Sequence, residues 1–456
     1  MHPLPSLLLP LFLLCAGTLP AQDVLTLEEA LNWTLTNHPL ARIADAVEQQ
    51  GAATLLANRG AFDPKIVGEW DRKKYLSSTY FDYGDVGVEW QSPYAFKLAA
   101  GFQWEDGVFV NPERTLPSGG QSYLAVKLPL IQNLVTDGAR LGIQRGNLAV
   151  ERQRALADVV RNELRYDVTT RYAEWLYAER ALEIILANAV LTEEYLDNTR
   201  QLFRLGDKPG VDTLEASVYL NQQLLDVEQA RVDLQLAKLA FAELYWPLEI
   251  TTEPTLISPD LLLLPEVSEW QVNQPELRDL QLSIADLQLQ QRLKRQYLLP
   301  KLEVGYYLLG DGGLNLPAEG DQYGGPLDRA YKIEAKASYP ILNRRARGEV
   351  QLGELKILET EAKLEAKQQS LEVKVQAYTQ AVENYSRQLL RADLLIRQSL
   401  QLLEAEQALF NLGESTQFLL NARRQSYQKA LLVAEKLRFS RNKAIFTFRY
   451  LVSGWQ

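Results

Sequence analysis

The chain has 456 residues, of which 46% are hydrophobic and 23% charged, with a formal net charge of -10. That length can bury a sizeable core, and nothing in the balance suggests a disordered chain or a nucleic-acid partner. The single cysteine, Cys15, falls in an opening stretch unlike the rest.

That stretch carries an apolar run from Leu7 to Leu14, broken only by Pro10, and then Thr18-Leu19-Pro20-Ala21 before Gln22. It reads as a signal peptide over residues 1–21, cut after Ala21. Only the amino terminus and His2 supply positive charge ahead of the run. Cys15 could instead take a lipid, although Leu14 stands where a small residue usually precedes such a site. With the cut after Ala21 the mature chain has no cysteine, hence no disulfide, no thiol nucleophile and no thiolate metal site. No later stretch is apolar for the length of a transmembrane helix, so an exported chain of this kind would enter a membrane through strands.

Leu27, Ala30, Leu31 and Leu35 are spaced for a short amphipathic helix. Asn37-His38-Pro39 interrupts it and opens a second helix to about Asn58, with Asn as the expected cap and Pro in the first turn. Asn273-Gln274-Pro275 repeats this punctuation, followed by Leu277, Leu280, Ile284 and Leu287. Asp63-Pro64-Lys65-Ile66 then matches Leu299-Pro300-Lys301-Leu302 at the same offset. Past each Pro-Lys the period changes to the alternation of strands. The first half offers Ile66, Gly68 and Trp70, then Val86, Val88 and Trp90, then Leu98, Ala100, Phe102 and Trp104, then Leu124, Val126 and Leu128. In the second half come Leu302, Val304, Tyr306 and Leu308, then Ile333, Ala335 and Ala337.

After Pro129 and again after Pro340 the chain is strongly helical. Leu148, Leu156, Val160, Leu164, Val168, Trp175, Leu182, Leu186 and Val190 step by threes, fours and sevens as a coiled-coil seam does. A helix from Asp137 to Gly206 would be a rod of roughly 100 Å. Leu202-Phe203-Arg204-Leu205-Gly206-Asp207 returns as Leu409-Phe410-Asn411-Leu412-Gly413-Glu414, a glycine bend between two helical runs each time. Helices of about 212–245 and 417–452 lead back. The chain thus reads as two tandem repeats, 22–246 with strands about 65–128 and a tip near 206, and 271–456 with strands about 301–339 and a tip near 413, joined by a proline-spaced linker over 247–270.

In that order the chain resembles the TolC-type outer-membrane efflux factor family from Asp23 to the end. The motifs are Leu25-Thr26-Leu27-Glu28-Glu29-Ala30-Leu31, Asn37-His38-Pro39, the tip glycine Gly206 with Asp212 six residues on, and Leu412-Gly413-Glu414-Ser415 with Asn421-Ala422-Arg423 behind it. The resemblance implies a mainly α protein with membrane β: a homotrimer whose strands share one outer-membrane β-barrel in lipid, continued by an α-helical barrel into the periplasm. It also implies a periplasmic adaptor, the membrane fusion protein, and an inner-membrane pump as partners. Physics agrees on oligomerisation, because a few strands cannot close a barrel and an open edge in lipid leaves backbone groups unpaired.

Trp70, Tyr75, Tyr80, Tyr83, Trp90, Tyr94 and Trp104 would suit the aromatic girdles of a membrane barrel, or else fill the core of a soluble sheet. The family pattern has two strands per half, whereas the first half here offers three or four. Either the segment from about Tyr80 to Phe102 is an extra surface hairpin, or one long strand is being divided.

Neither a His-x-x-x-His, a phosphate-cradling loop nor a nucleophile elbow occurs, so no enzyme activity and no cofactor is expected. His38 reads as a neighbour of a helix cap, and Arg344, Arg345 and Arg347 as a solvated helix start near the membrane edge. At the tips, three copies of Asp212, with Glu215 a helical step further and Asp207 at the turn, would make an acidic ring at the narrow end of a tunnel; Asp212 as a helix N-cap is the alternative. The matching position after Gly413 is Leu419, preceded by Phe418, which would make the constriction partly apolar. Leu205, Gly206, Leu412, Gly413 and Glu414 are the expected adaptor-docking tip. The function expected is an exit duct for small toxic molecules, metal ions or a secreted protein; a non-conducting periplasmic coiled-coil scaffold and a secreted helical pore-forming protein are the alternatives.

Overall fold

A computed structural model describes residues 24–109, 115–117, 119–246, 252–265, 270–310 and 330–455. The expected signal peptide with Cys15, and part of the expected linker, lie outside the described residues.

Helix α1 (Leu27–Asn37) opens on a capping box, in which Thr26 Oγ1 accepts from the Glu29 N–H while the Glu29 carboxylate accepts from the Thr26 N–H. Helix α2 (Pro39–Arg59) is capped by His38 and not by Asn37: the His38 Nδ1 accepts from the Leu40 N–H at 3.1 Å. Asn37 still belongs to the last turn of α1, so its amide reaches back to the Trp33 carbonyl. Pro39 has no N–H, which leaves the Leu40 N–H as the donor to be satisfied. In the second half, Gln274 accepts in the same way from the Glu276 N–H at 2.6 Å, ahead of helix α6 (Pro275–Gln296), with the short helix α5 (Trp270–Asn273) just before it.

Six strands form one antiparallel sheet: β2 (Lys65–Tyr75), β3 (Ser78–Gln91), β4 (Lys97–Asp106), β5 (Gln121–Pro129), β7 (Lys301–Leu309) and β8 (Tyr331–Ser338), side by side in that order. The first half therefore has four separate strands, which rules out the division of one long strand. The register puts Ile66 opposite Val88, Val88 opposite Ala100, Ala100 opposite Leu124, and Leu124 opposite Leu308. The neighbouring row on the other face runs Glu69, Asp85, Gln103 and Gln121. Period-two alternation thus lays an apolar band across one face of all six strands, from Ile66 to Trp70 on β2, and the same face turns polar beyond it in the row Arg72, Asp82 and Asp106. Ile66 is 85% exposed, Trp70 67% and Ile333 55%. A soluble sheet would cover that face with another layer; among the described residues none covers Trp70, which therefore does not fill a core of this chain.

Glycines thin the sheet where aromatics cross it. A Cβ on Gly84 would meet the Trp104 indole at 2.0 Å, and one on Gly101 would meet the Tyr123 hydroxyl at 2.6 Å. That hydroxyl reaches the Asp85 carboxylate at 3.1 Å on the polar face.

Two long hairpins follow the strands: α3 (Gly138–Arg204, 67 residues) with α4 (Gly210–Tyr245, 36 residues), and α7 (Arg344–Asn411, 68 residues) with α8 (Gln417–Val452, 36 residues). At about 1.5 Å per residue α3 and α7 are each rods of roughly 100 Å. Near the tips the order across the molecule is α4–α3–α8–α7, and nearer the sheet it is α2–α3–α6–α7. One flank is therefore made by α2, α4 and edge strand β2, and the other by α7 and edge strand β8.

The expected seam of α3 holds in its middle, where Leu164, Val168 and Trp175 are buried, and fails further on, where Val190 is exposed and Asn188 and Ala189 are buried instead. A straight helix drifts about 20° per heptad from a seven-residue repeat, enough over this distance to hand the buried stripe to adjacent positions.

The main core gathers Tyr172, Trp175, Phe241 and Phe446 from α3, α4 and α8. It also pins the chain entering and the chain crossing between the halves. Strand β1 (Val24–Leu25) pairs in parallel with β6 (Glu253–Pro254). The buried Tyr172 hydroxyl donates to the Leu25 carbonyl at 2.7 Å and accepts from the Thr255 N–H at 2.8 Å. Arg449, 4% exposed, donates to the Asp260 and Leu263 carbonyls at 2.9 Å each. The crossing segment is thus docked and not a free spacer over residues 253–263.

Candidate functional site: the hairpin tips and the polar layer behind them

Both tips are built alike. Helix α3 ends through Leu205 and Gly206, whose φ is +83°; the Gly206 N–H donates to the Phe203 carbonyl at 3.0 Å and the Asp207 N–H to the Leu202 carbonyl at 3.0 Å. Helix α7 ends through Leu412 and Gly413 at φ +77°, with Gly413 donating to Phe410 at 3.0 Å and Glu414 to Leu409 at 2.9 Å. This is the Schellman closure, which needs a left-handed residue. A Cβ at either glycine would meet nothing within 4 Å, so glycine is required by the backbone alone. Leu205 and Leu412 stand out into solvent at 73% and 74% exposure.

The chain re-enters a helix differently at each tip. Pro209 is the N-cap residue of α4, where its fixed φ sets the entry angle. Asp212 therefore does not cap; it sits in the first turn, where a carboxylate suits the positive end of the helix, and pairs with Lys208 at 3.3 Å. Glu215, one turn on, accepts from the Tyr219 hydroxyl at 3.3 Å. Burial, and then the Glu215 charge beside it, push the Tyr219 phenol above its ordinary value. Asp207 and Glu414 are exposed at the turns.

In the second tip Thr416 caps α8 by accepting from the Leu419 N–H at 3.3 Å, and Phe418 and Leu419 are exposed just after it. A buried carboxylate holds this turn: Glu406 accepts from the Ser415 hydroxyl and pairs with Arg423 at 3.4 Å. Lys208 and Glu406 were not among the expected tip residues, whereas Arg423 stood in the Asn421-Ala422-Arg423 motif behind the second tip without its partner being legible. The two tips meet along a cleft of about 290 Å³ to which Leu202, Leu205 and Lys208 contribute from one hairpin and Phe410 and Gln417 from the other. Asp212 thus reaches the cleft through Lys208.

Behind the tips lies a buried polar layer. The Asn188 amide donates to the Gln223 Oε1 at 2.8 Å, the Gln428 amide donates to the same oxygen at 3.3 Å, and the Gln223 amide donates to Asp226 at 3.3 Å. It joins α3, α4 and α8 at one level and borders an open groove of about 990 Å³ that also takes in Arg171, Asp233 and Lys429. Nearby, burial lowers the Arg424 guanidinium from its usual value, opposed by Glu194. Among the described residues no group of three or more His, Cys, Asp or Glu side chains is placed to hold a metal ion. No described helix is long and apolar enough to cross a membrane.

The flanks carry a second unsatisfied feature. On α4, Val211, Leu214, Val218, Leu225, Val232 and Leu239 are exposed at steps of three, four and seven. On α7, Leu395, Leu402 and Leu409 are exposed at steps of seven. These are coiled-coil seams on the two outermost helices, with no described helix of the same chain packed over them.

A single antiparallel sheet that runs on into paired helical hairpins of this length is the fold of the bacterial outer-membrane channel proteins. No protein-family model matches the sequence, and no curated protein matches it. Solved structures do. The Campylobacter jejuni CmeC outer membrane channel superposes with a TM-score of 0.69 at 13% identity, covering 94% of this chain and 85% of that one. The open state of the Neisseria gonorrhoeae MtrE outer membrane channel gives 0.69 at 15%, covering 94% and 89%. The outer membrane protein VceC of Vibrio cholerae gives 0.69 at 12%, covering 94% and 96%. At such identities the likeness is one of fold.

Proposed function

We propose that three copies of this chain form an exit duct through the outer membrane, a passive conduit for an efflux or secretion system, entered from the periplasm at the hairpin tips. The observation that carries this reading is the one-sided sheet: an apolar face left open on all six strands, two unpaired edges, and direct continuation into 100 Å-scale helical hairpins. Lipid is the solvent that suits such a face, and only closure satisfies edge backbone in lipid. The two flanks fit head to tail, β2 against the next copy's β8 and the α4 seam against the next copy's α7 seam, a heterologous contact that closes into a ring. The outer-membrane-channel descriptions of CmeC and MtrE support the same assignment.

On this reading the chain divides into two tandem repeats, 22–246 and 271–456, joined across 247–270. The tips Leu205, Gly206, Leu412, Gly413 and Glu414 meet a periplasmic adaptor that links the duct to an inner-membrane pump. Asp207, Asp212 and Glu215, with Phe418, line the narrow entrance, the Lys208–Asp212 pair being a contact that opening breaks. The duct performs no catalysis and needs no cofactor; its work is shape and charge lining.

Membrane fractionation of the expressed full-length chain, followed by native mass spectrometry of the detergent extract, tests the reading. The expected result is a trimer extracted from outer membranes. A monomer in the soluble fraction contradicts it.

A further inference from the structure

We infer that the membrane wall contributed by each copy has six strands, so that the ring closes with eighteen strands and a mouth wider than the four-strand pattern of the resembling family would give. The inference rests on the trimeric membrane reading above and adds to it the size and make-up of the wall.

The hairpin β3–β4 decides the matter. A surface hairpin would stand clear of the sheet, bonded at its base alone. Here β3 is paired with β2 along residues 65–75 and with β4 along residues 97–106, and β4 is paired in turn with β5 from Lys97 to Gln103. Both strands lie inside the ladder, between β2 and β5. They also keep its sidedness: Val86, Val88 and Ala100 continue the apolar rows, while Asp85 and Gln103, directly opposite each other and hydrogen-bonded at 2.9 Å, continue the polar face. A hairpin projecting into water has no reason to carry an apolar face aligned with that of its neighbours.

Perimeter arithmetic supports the count. Eighteen strands about 4.8 Å apart and tilted about 40° give a wall of roughly 110 Å around, some 36 Å across, against about 75 Å and 24 Å for twelve. Where it joins the sheet, the helical part presents four tracks per copy, α2, α3, α6 and α7. Twelve such tracks spaced about 8–10 Å apart are roughly 96–120 Å around. A wall of eighteen strands therefore meets the helical duct without a step. A barrel of that strand number encloses water and is not filled by its own side chains.

The test is electron cryomicroscopy of the full chain in lipid nanodiscs, with strands counted around the ring, together with single-cysteine variants V88C and Q103C carrying an environment-sensitive fluorophore. The expected result is a threefold particle with eighteen strands, V88C quenched by spin-labelled lipid and Q103C not. A threefold particle with twelve strands, residues 78–106 outside the ring and V88C unquenched, overturns the inference and leaves the duct standing. A particle without threefold symmetry overturns both, so symmetry separates the two failures.

Discussion

At His38 the imidazole must stay neutral at Nδ1 to accept from the Leu40 N–H. Burial holds its pKa below the ordinary 6.5, with Glu243 pulling the other way. A depressed folded-state value means that this contribution is fully present above the unfolded value and is lost as pH falls through the folded one. Thermal unfolding followed by circular dichroism between about pH 7.5 and about pH 5 should therefore show a fall in midpoint that H38N, which can cap the helix without titrating, lacks. A parallel fall in both proteins would remove His38 as the cause. The tip glycines make a second residue-scale case: with open space around each and a left-handed φ, G206A and G413A should each cost about 1–2 kcal/mol by backbone strain alone, read as a lowered unfolding midpoint. The motif Leu-Gly was legible because glycine alone takes that conformation without steric cost. The cap was not, because Asn37 and His38 are both competent acceptors and the helix boundary, shifted by one residue, chooses between them.

Among the elements, the strands and rods were legible from period, and the seam of α3 was legible only where drift had not yet accumulated. The partners of buried polar side chains were not, since Asn188, Gln223 and Gln428 are far apart in sequence and their meeting is a product of packing. Replacing Gln223 by Leu strands the Asn188 and Gln428 amides in a buried layer, which should cost about 1–3 kcal/mol per orphaned group; an unchanged midpoint would show that water reaches the layer from the adjoining groove. The exposed α4 seam makes a different prediction. Val218 and Leu225 are both 60% exposed in the protomer, so with V218D and L225D combined the far-ultraviolet spectrum should stay native while the trimer band on native mass spectrometry is lost. A trimer that survives would mean that α4 faces solvent in the assembly.

Over the whole molecule, the alternation of the strands already pointed to one apolar face, but whether that face met a soluble core or lipid depended on what covers it. Ile66 and Trp70 show by their exposure that no described part of the chain covers it, and lipid is the cover proposed. The first half offered three or four strands in sequence without deciding between them; neither their number nor their membership of one six-stranded ladder was legible, because register is a long-range property. The Asp212 side chain shows the same limit at the proposed entrance, since its pairing with Lys208, in the bend just before α4, makes it a paired charge within the protomer before any ring of three is considered. Breaking that pair should loosen the entrance without unfolding it.

Single-channel recording of the purified protein in planar lipid bilayers is the most direct test of the conduit, with D212A and F418A combined in one variant beside the parent chain. The account predicts discrete, ohmic current steps for both, larger in the variant because the entrance loses its acidic and its apolar contacts together. Bilayers that stay silent with both proteins, while the inserted material is shown to be trimeric, would contradict a water-filled duct and leave the long helices as a scaffold.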